Sequence, residues 1–180
     1  TIDFCSPEAG VDVVIPETLG GYPVTAIGDV AFNFNYEMRS VSIPASVKYI
    51  GQNAFMFCAD LEQITVDAAN QHYKSEGNCL IDIALKTVVK GCSNSTIPTT
   101  DDVEKIGDGA FVFLEGLESI EIPANIKSIG GAAFGLCPSL AEVTLNEGLE
   151  SIGQAAFSTS ALTEITIPST VESVELGAFE

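Results

Sequence analysis

The residues best suited to chemistry in this 180-residue chain are five cysteines, a single histidine and two adjacent aspartates. A thiol acts as a nucleophile or metal ligand when a neighbouring base or cation holds it as thiolate. Covalent catalysis further needs that base within hydrogen-bond reach. The spacing meets neither condition. No Cys-x-x-Cys occurs, and His72 alone cannot assemble a multi-histidine metal site, so it reads as a loop histidine. Asp101-Asp102 lacks the ligand spacing of an EF-hand loop. Glycine-rich phosphate loops and nucleophile elbows are also absent from the sequence. The expectation is a protein that is not an enzyme, with no cofactor and no metal.

Two cysteines instead keep time with a repeat. Cys58 and Cys137 each stand three residues after an Ala-Phe pair, a place taken elsewhere by Asn35, Leu114 and Ser160. A place that accepts leucine points to the core, where free cysteine packs as a small hydrophobe. The Ala-Phe pairs end at Phe32, Phe55, Phe111, Phe134, Phe157 and Phe179, with steps of 23, 56, 23, 23 and 22 residues. The long step exceeds one period by 33 residues, so one repeat carries an insertion.

Two further words alternate with the first. One reads Met38-x-x-Val41-x-Ile43-Pro44, Leu61-x-x-Ile64-x-Val66, Leu117-x-x-Ile120-x-Ile122-Pro123, Leu140-x-x-Val143-x-Leu145 and Leu162-x-x-Ile165-x-Ile167-Pro168. Its apolar and polar residues alternate and are rich in β-branched types, which predicts short strands. Proline ends them, having no amide hydrogen for a ladder. The other word is Val47-x-x-Ile50-Gly51, with copies ending at Gly107, Gly130 and Gly153, and its glycine reads as a sharp or positive-φ bend. A unit of about 23 residues cannot bury its apolar face alone. Stacked copies can, which predicts a solenoid with the phenylalanines in one internal file.

The pattern Leu-x-x-Ile-x-Ile-Pro-x-x-Val-x-x-Ile-Gly-x-x-Ala-Phe-x-x-Cys, nearly complete at 38–58 and 117–137, resembles the BspA-like leucine-rich repeats of bacterial surface and secreted proteins. The stretch 13–32 resembles the first unit of such arrays. The resemblance implies a leucine-rich repeat solenoid of short parallel strands joined by short helical or 3-10 turns, with one hairpin-like insertion. It covers 1–180 as a single domain: N-terminal repeats 1–66, insertion 67–95 and C-terminal repeats 96–180. It also implies an extracellular or cell-surface location and a non-enzymatic role in adhesion or protein binding, with a host or other extracellular protein as partner. A structural spacer or stalk presenting another domain is the alternative, and a glycan-binding module is a further one. The absence of tryptophan speaks against glycans. The sequon Asn94-Ser95-Thr96 is idle in a bacterial protein. The chain starts and stops abruptly and reads as a fragment or mature segment.

Within the insertion, Cys79-Leu80-Ile81 and Thr87-Val88-Val89 predict a hairpin, after which Thr96-Ile97-Pro98 resumes the strand word. Cys79 and Cys92 flank the hairpin and either pair or remain free thiols. An odd cysteine count does not suit a disulfide framework, and Cys5 has no counterpart in the repeat. The insertion is either a structural variant of the repeat or a recognition element built on His72, Tyr73 and Lys74.

On the strands, side chains between the apolar ones face outward. They form two columns: Ser40, Gln63, Ser119, Glu142 and Glu164, and beside them Ser42, Thr65, Glu121, Thr144 and Thr166. This hydroxyl-rich, increasingly acidic face is either a solvated sheet or a docking surface. The net charge is −18, and residues 128–180 hold no lysine or arginine. Such a surface repels phosphate backbones and anionic bilayers, which excludes nucleic acid as a partner. No apolar run is long enough for a membrane span.

Overall fold

Each repeat carries one apolar edge, and the chain winds to bury it. The computed structural model, which describes residues 1–3 and 11–180, is a β-solenoid of parallel rungs. The Leu-x-x-Ile-x-Ile words form a first ladder. It comprises β1 (Asp12–Val14), β5 (Ser40–Ile43) and β7 (Gln63–Val66), and then separately β12 (Ser119–Ile122) and β14 (Glu142–Leu145). Like residues fall opposite like residues: Val41 faces Ile64 and Ile120 faces Val143. Near the N-terminus, β2 (Thr18–Leu19) and β3 (Tyr22–Pro23) make a hairpin turned by Gly20 and Gly21, both at positive φ.

The Ile-Gly words form a second ladder. In it β4 (Ala26–Ile27) pairs with β6 (Tyr49–Ile50). Beyond the insertion, β11 (Lys105–Ile106), β13 (Ser128–Ile129), β15 (Ser151–Ile152) and β16 (Ser173–Val174) run parallel. The motif glycines are not bends at positive φ, as the sequence suggests. They are points of close approach: a Cβ on Gly51, Gly130 or Gly153 would sit 2.3–2.7 Å from atoms of the preceding coil.

The Ala-Phe segments are turns, and no helix forms among the described residues, so the expected helical or 3-10 turns are not seen there. Residues two before and two after each phenylalanine are left-handed, as at Val30 and Phe34, Asn53 and Phe57, and Ala132 and Leu136. This alternation sends every second amide out of the turn. Asn33 N–H closes on Val30 O within its own coil, while Phe32 N–H donates to Ala54 O of the next at 2.8 Å. Phe111, Phe134 and Phe157 do the same toward Ala133, Ala156 and Ala178, each at 2.7 Å. A helix would need those amides for itself.

The rings stack as expected, but in two files rather than one. Phe32 lies on Phe55 at 5.2 Å, and Phe111, Phe134, Phe157 and Phe179 follow at 4.8–5.5 Å. The insertion divides them. It is a three-stranded antiparallel meander, β8 (Tyr73–Glu76), β9 (Cys79–Asp82) and β10 (Thr87–Lys90). The predicted hairpin is its β9–β10 part, and β8 extends it. β10 then joins the second ladder beside β11, with Val88 opposite Ile106. The meander partitions the core: Cys79, Ile81 and Val88 pack with the C-terminal repeats, whereas Tyr73, Leu80 and Cys92 pack with the N-terminal ones. Thr96-Ile97-Pro98 does not resume a strand. Ile97 and Pro98 are buried, but Thr96 N–H is taken by Gly77 O of the meander.

Phe134 is fully buried between two stacked rings. Phe134→Ala should therefore destabilise the fold by about 3–5 kcal/mol. The same change at half-exposed Phe34 should cost far less. Chemical denaturation of the two variants checks the difference, and equal losses would contradict the stacked core.

Candidate binding surface

The outward columns exist on the first ladder, in two separate patches. Ser40 stands opposite Gln63 and Ser42 opposite Thr65, with the Ser42 and Thr65 hydroxyls 2.9 Å apart and Ser40 Oγ donating to Asp12 at 2.7 Å. Ser119 stands opposite Glu142 and Glu121 opposite Thr144 on β12 and β14. All of these side chains are exposed or half-buried. Between the patches the meander ends the ladder. Ile64 N–H donates to Asn78 Oδ1 at 3.0 Å and Val66 N–H to Ser75 Oγ at 3.1 Å, so side chains take the amides a next strand would take.

Glu164 and Thr166 do not join their columns as strand residues, because 162–167 form no strand. The cause is legible in the spacing. Leu140 stands six places after Phe134, but Leu162 only five after Phe157, and the strand is missing where the corner is shorter.

The three residues of the insertion part ways. His72 is exposed, its amide held by Asn70 Oδ1 at 2.8 Å. Tyr73 is 5% exposed, and its hydroxyl accepts Ile50 N–H at 2.9 Å, which makes it a strut between meander and coil. Lys74 pairs with Glu76 and Asp102, both at 2.7 Å, and those two carboxylates hold its ammonium above its usual range although its partial burial opposes this. The strands of the meander are buried or half-buried, and its largest exposed apolar side chains are Ile83 and Leu85 in the loop between β9 and β10.

One exposed feature escaped the sequence reading. Phe34, Phe57 and Phe113 form an aromatic column on the turn edge, with Tyr36 beside it. Phe34 and Phe57 stack at 4.8 Å, Phe57 meets Phe113 edge-on at 5.4 Å, and Tyr36 touches both Phe34 and Phe113 at 6.1 Å. The signal was present as Phe-x-Phe in three copies, Phe32-x-Phe34, Phe55-x-Phe57 and Phe111-x-Phe113. Its second ring is left-handed and turns outward.

The thiols are structural. Cys58, Cys79, Cys92 and Cys137 are all buried and free, so Cys79 and Cys92 do not pair, and Cys5 lies outside the described residues. Cys58 Sγ donates to Phe32 O at 3.3 Å and Cys137 Sγ to Phe111 O at 3.1 Å, binding each coil to the one before. Burial pushes the Cys58 and Cys79 thiols up to about 11 and Cys92 to about 12, the reverse of a reactive thiolate. Lys90 is 2% exposed and its Nζ has no hydrogen-bond partner. Burial lowers its pKa, and nearby Cys58, Cys92 and Cys137 oppose this weakly. Among the described residues, no group of three or more His, Cys, Asp or Glu side chains is placed to hold a metal. Nor is any helix there long and apolar enough to cross a membrane.

Parallel rungs, internal phenylalanine files and an open outer strand face define a leucine-rich-repeat solenoid. The model of the BspA type leucine rich repeat region matches residues 12–100 and 80–180, in six copies, and the chain belongs to that family. No curated protein matches the chain. Among solved structures it is similar to the pneumococcal vaccine antigen PcpA, at 22% identity and TM-score 0.73 over 87% of this chain and 40% of that one. It is also similar to a leucine rich cell surface protein of Faecalibacterium prausnitzii A2-165, at 24% identity and TM-score 0.71 over 93% of this chain and 50% of that one. These likenesses show the shared fold, and the chain spans half or less of either structure.

Two outcomes follow for the buried groups. Unfolded thiols ionise near pH 9, whereas Cys58, Cys79 and Cys92 stay protonated to about 11–12 in the fold. Their contribution to stability is fully present below pH 9 and is lost as pH rises through the folded values. Lys90 has the opposite sign, since its folded pKa lies below the unfolded 10.5 and its cost is felt below that pH. Lys90→Met should thus stabilise the protein by about 1–3 kcal/mol at neutral pH, an advantage that shrinks as pH approaches 10.5. Urea melts of both proteins from pH 7 to 10.5 check both signs.

Proposed function

We propose that this array is a non-enzymatic protein-binding module of a bacterial cell-surface or secreted protein. In this reading it adheres to a host or neighbouring extracellular protein that presents a basic face. The observation that carries the reading is the β12–β14 patch. Glu121 and Glu142 stand there among hydroxyls on a ladder of fixed register, in a half of the chain without bases after Lys127. Repeat solenoids bind through such extended open faces, and uncompensated charge steers an oppositely charged partner. Residues Ser40, Ser42, Gln63 and Thr65 extend the contact as a second, nearly neutral patch. Family membership and the surface-protein neighbours support the location.

A second reading, the array as a spacer, is favoured by the hydrogen bonding of rung to rung on either side of the insertion. A surface-binding screen against extracellular-matrix proteins and mucins separates the two. Adhesion predicts saturable binding to at least one of them. E121Q/E142Q should weaken that binding roughly tenfold and flatten its dependence on salt, with the melting transition unchanged. Absence of binding across the panel would leave the spacer.

A further inference from the structure

The second ladder breaks once, and the break leaves backbone groups without partners. Elsewhere each turn donates three amides forward: Val30, Phe32 and Phe34 to Gln52, Ala54 and Met56, and Ala132, Phe134 and Leu136 to Gln154, Ala156 and Ser158. The carbonyl before the motif glycine likewise accepts from the next coil. Ile27 O takes Gly51 N–H, Ile106 O takes Gly130 N–H and Ile129 O takes Gly153 N–H. The coil holding Phe55 has the same turn conformation, with Asn53 and Phe57 at positive φ, so its amides also face forward. There the meander has replaced the next turn. Among the described residues, the Asn53, Phe55 and Phe57 amides find no acceptor and the Ile50 carbonyl no donor. Ile50 N–H, on the same edge, reaches only the Tyr73 hydroxyl.

The seam is open. A cleft of about 450 Å³ runs along it, with Tyr49 and Phe55 on one side and Leu85, Val89 and Lys90 on the other.

We propose that this seam is a rung-addition site for a segment of a partner protein that copies the array's own short strand and turn. The chemistry selects a backbone. The edge offers an acceptor at Ile50 and donors at Asn53, Phe55 and Phe57, the set that in other coils is met by the next coil's glycine amide and three turn carbonyls. The Phe55 residue is buried, so its lone amide carries a desolvation cost that an incoming carbonyl removes. The aromatic and aliphatic walls take apolar side chains of the segment. In effect the partner supplies the rung the insertion left out.

The site is remote in sequence from the β12–β14 patch, so its test is independent of E121Q/E142Q. The probe is a synthetic peptide copying residues 128–136, SIGGAAFGL, the array's own rung. In the free protein, the Phe55 amide should exchange with solvent at least a hundredfold faster than the Phe134 amide. Peptide should shift the NMR signals of Asn53 and Phe55 and slow their exchange at least tenfold. The same peptide N-methylated at alternate residues should produce neither effect. Four results would overturn the proposal. They are a Phe55 amide already as protected as Phe134, no shift at millimolar peptide, shifts confined to residues 173–180, and equal binding by the N-methylated peptide.

Discussion

The structure depends on one constraint: half of each coil's backbone must be completed by the next. In the turns, amides alternate between closing their own coil and crossing to its neighbour. That alternation requires left-handed residues two places either side of each phenylalanine, and the chain pays for it with bulky residues in that region, including Val30, Phe34, Phe57 and Phe113. A β-branched or aromatic residue there is strained by about 1–2 kcal/mol. An isolated coil would relax. The stack holds the strain because releasing it would strand forward-pointing amides and unstack the rings. The same closeness fixes the motif glycines, whose missing Cβ lets one coil's backbone touch the last.

The insertion shows how such a stack tolerates interruption. A missing turn would expose the edges on both sides of the gap. On the first ladder the meander covers the edge with polar side chains. Asn78 and Ser75 take β7 amides, and Asn70 Nδ2 donates to Pro44 O and Val47 O at 2.9 and 3.0 Å. Asn125 repeats that device between later coils, donating to Pro98 O, Thr100 O and Val103 O. On the second ladder the meander offers the next coil a true strand, β10, but gives the preceding coil only the Tyr73 hydroxyl. The asymmetry divides the hydrophobic core and leaves the seam.

The repeat made most of this legible. Apolar period, strand words and ring stacking all follow from residues that recur every 23 places. The sequence misled where one residue type serves two ends. The motif glycine reads as a conformational switch, yet its role is contact. The helical or 3-10 turns implied by the resemblance are not what the Ala-Phe segments form, because the deciding factor is the destination of their amides in another coil. For Tyr73 and Lys74 the residue types left a structural and a recognition role equally open, because a phenol and an ammonium in a meander serve as well for struts as for contacts. The aromatic column is written in Phe-x-Phe, but its second ring recurs in only three copies and so lies outside the six-copy period. The shortened corner before Leu162 was also countable, and it removes Glu164 and Thr166 from the ladder.

The acidic face carries its own design logic. Like charges directly opposite one another on adjacent strands destabilise a sheet. In the β12–β14 pair the register avoids this, since Ser119 faces Glu142 and Glu121 faces Thr144. Each carboxylate thus has a hydroxyl directly across from it. A surface needing only solubility could scatter its acids anywhere outside the core. Here they are staggered on a paired strand ladder, and no lysine or arginine occurs after Lys127 to neutralise them. The arrangement keeps a negative field outward at little cost in repulsion, which a basic partner can use and a plain spacer does not require.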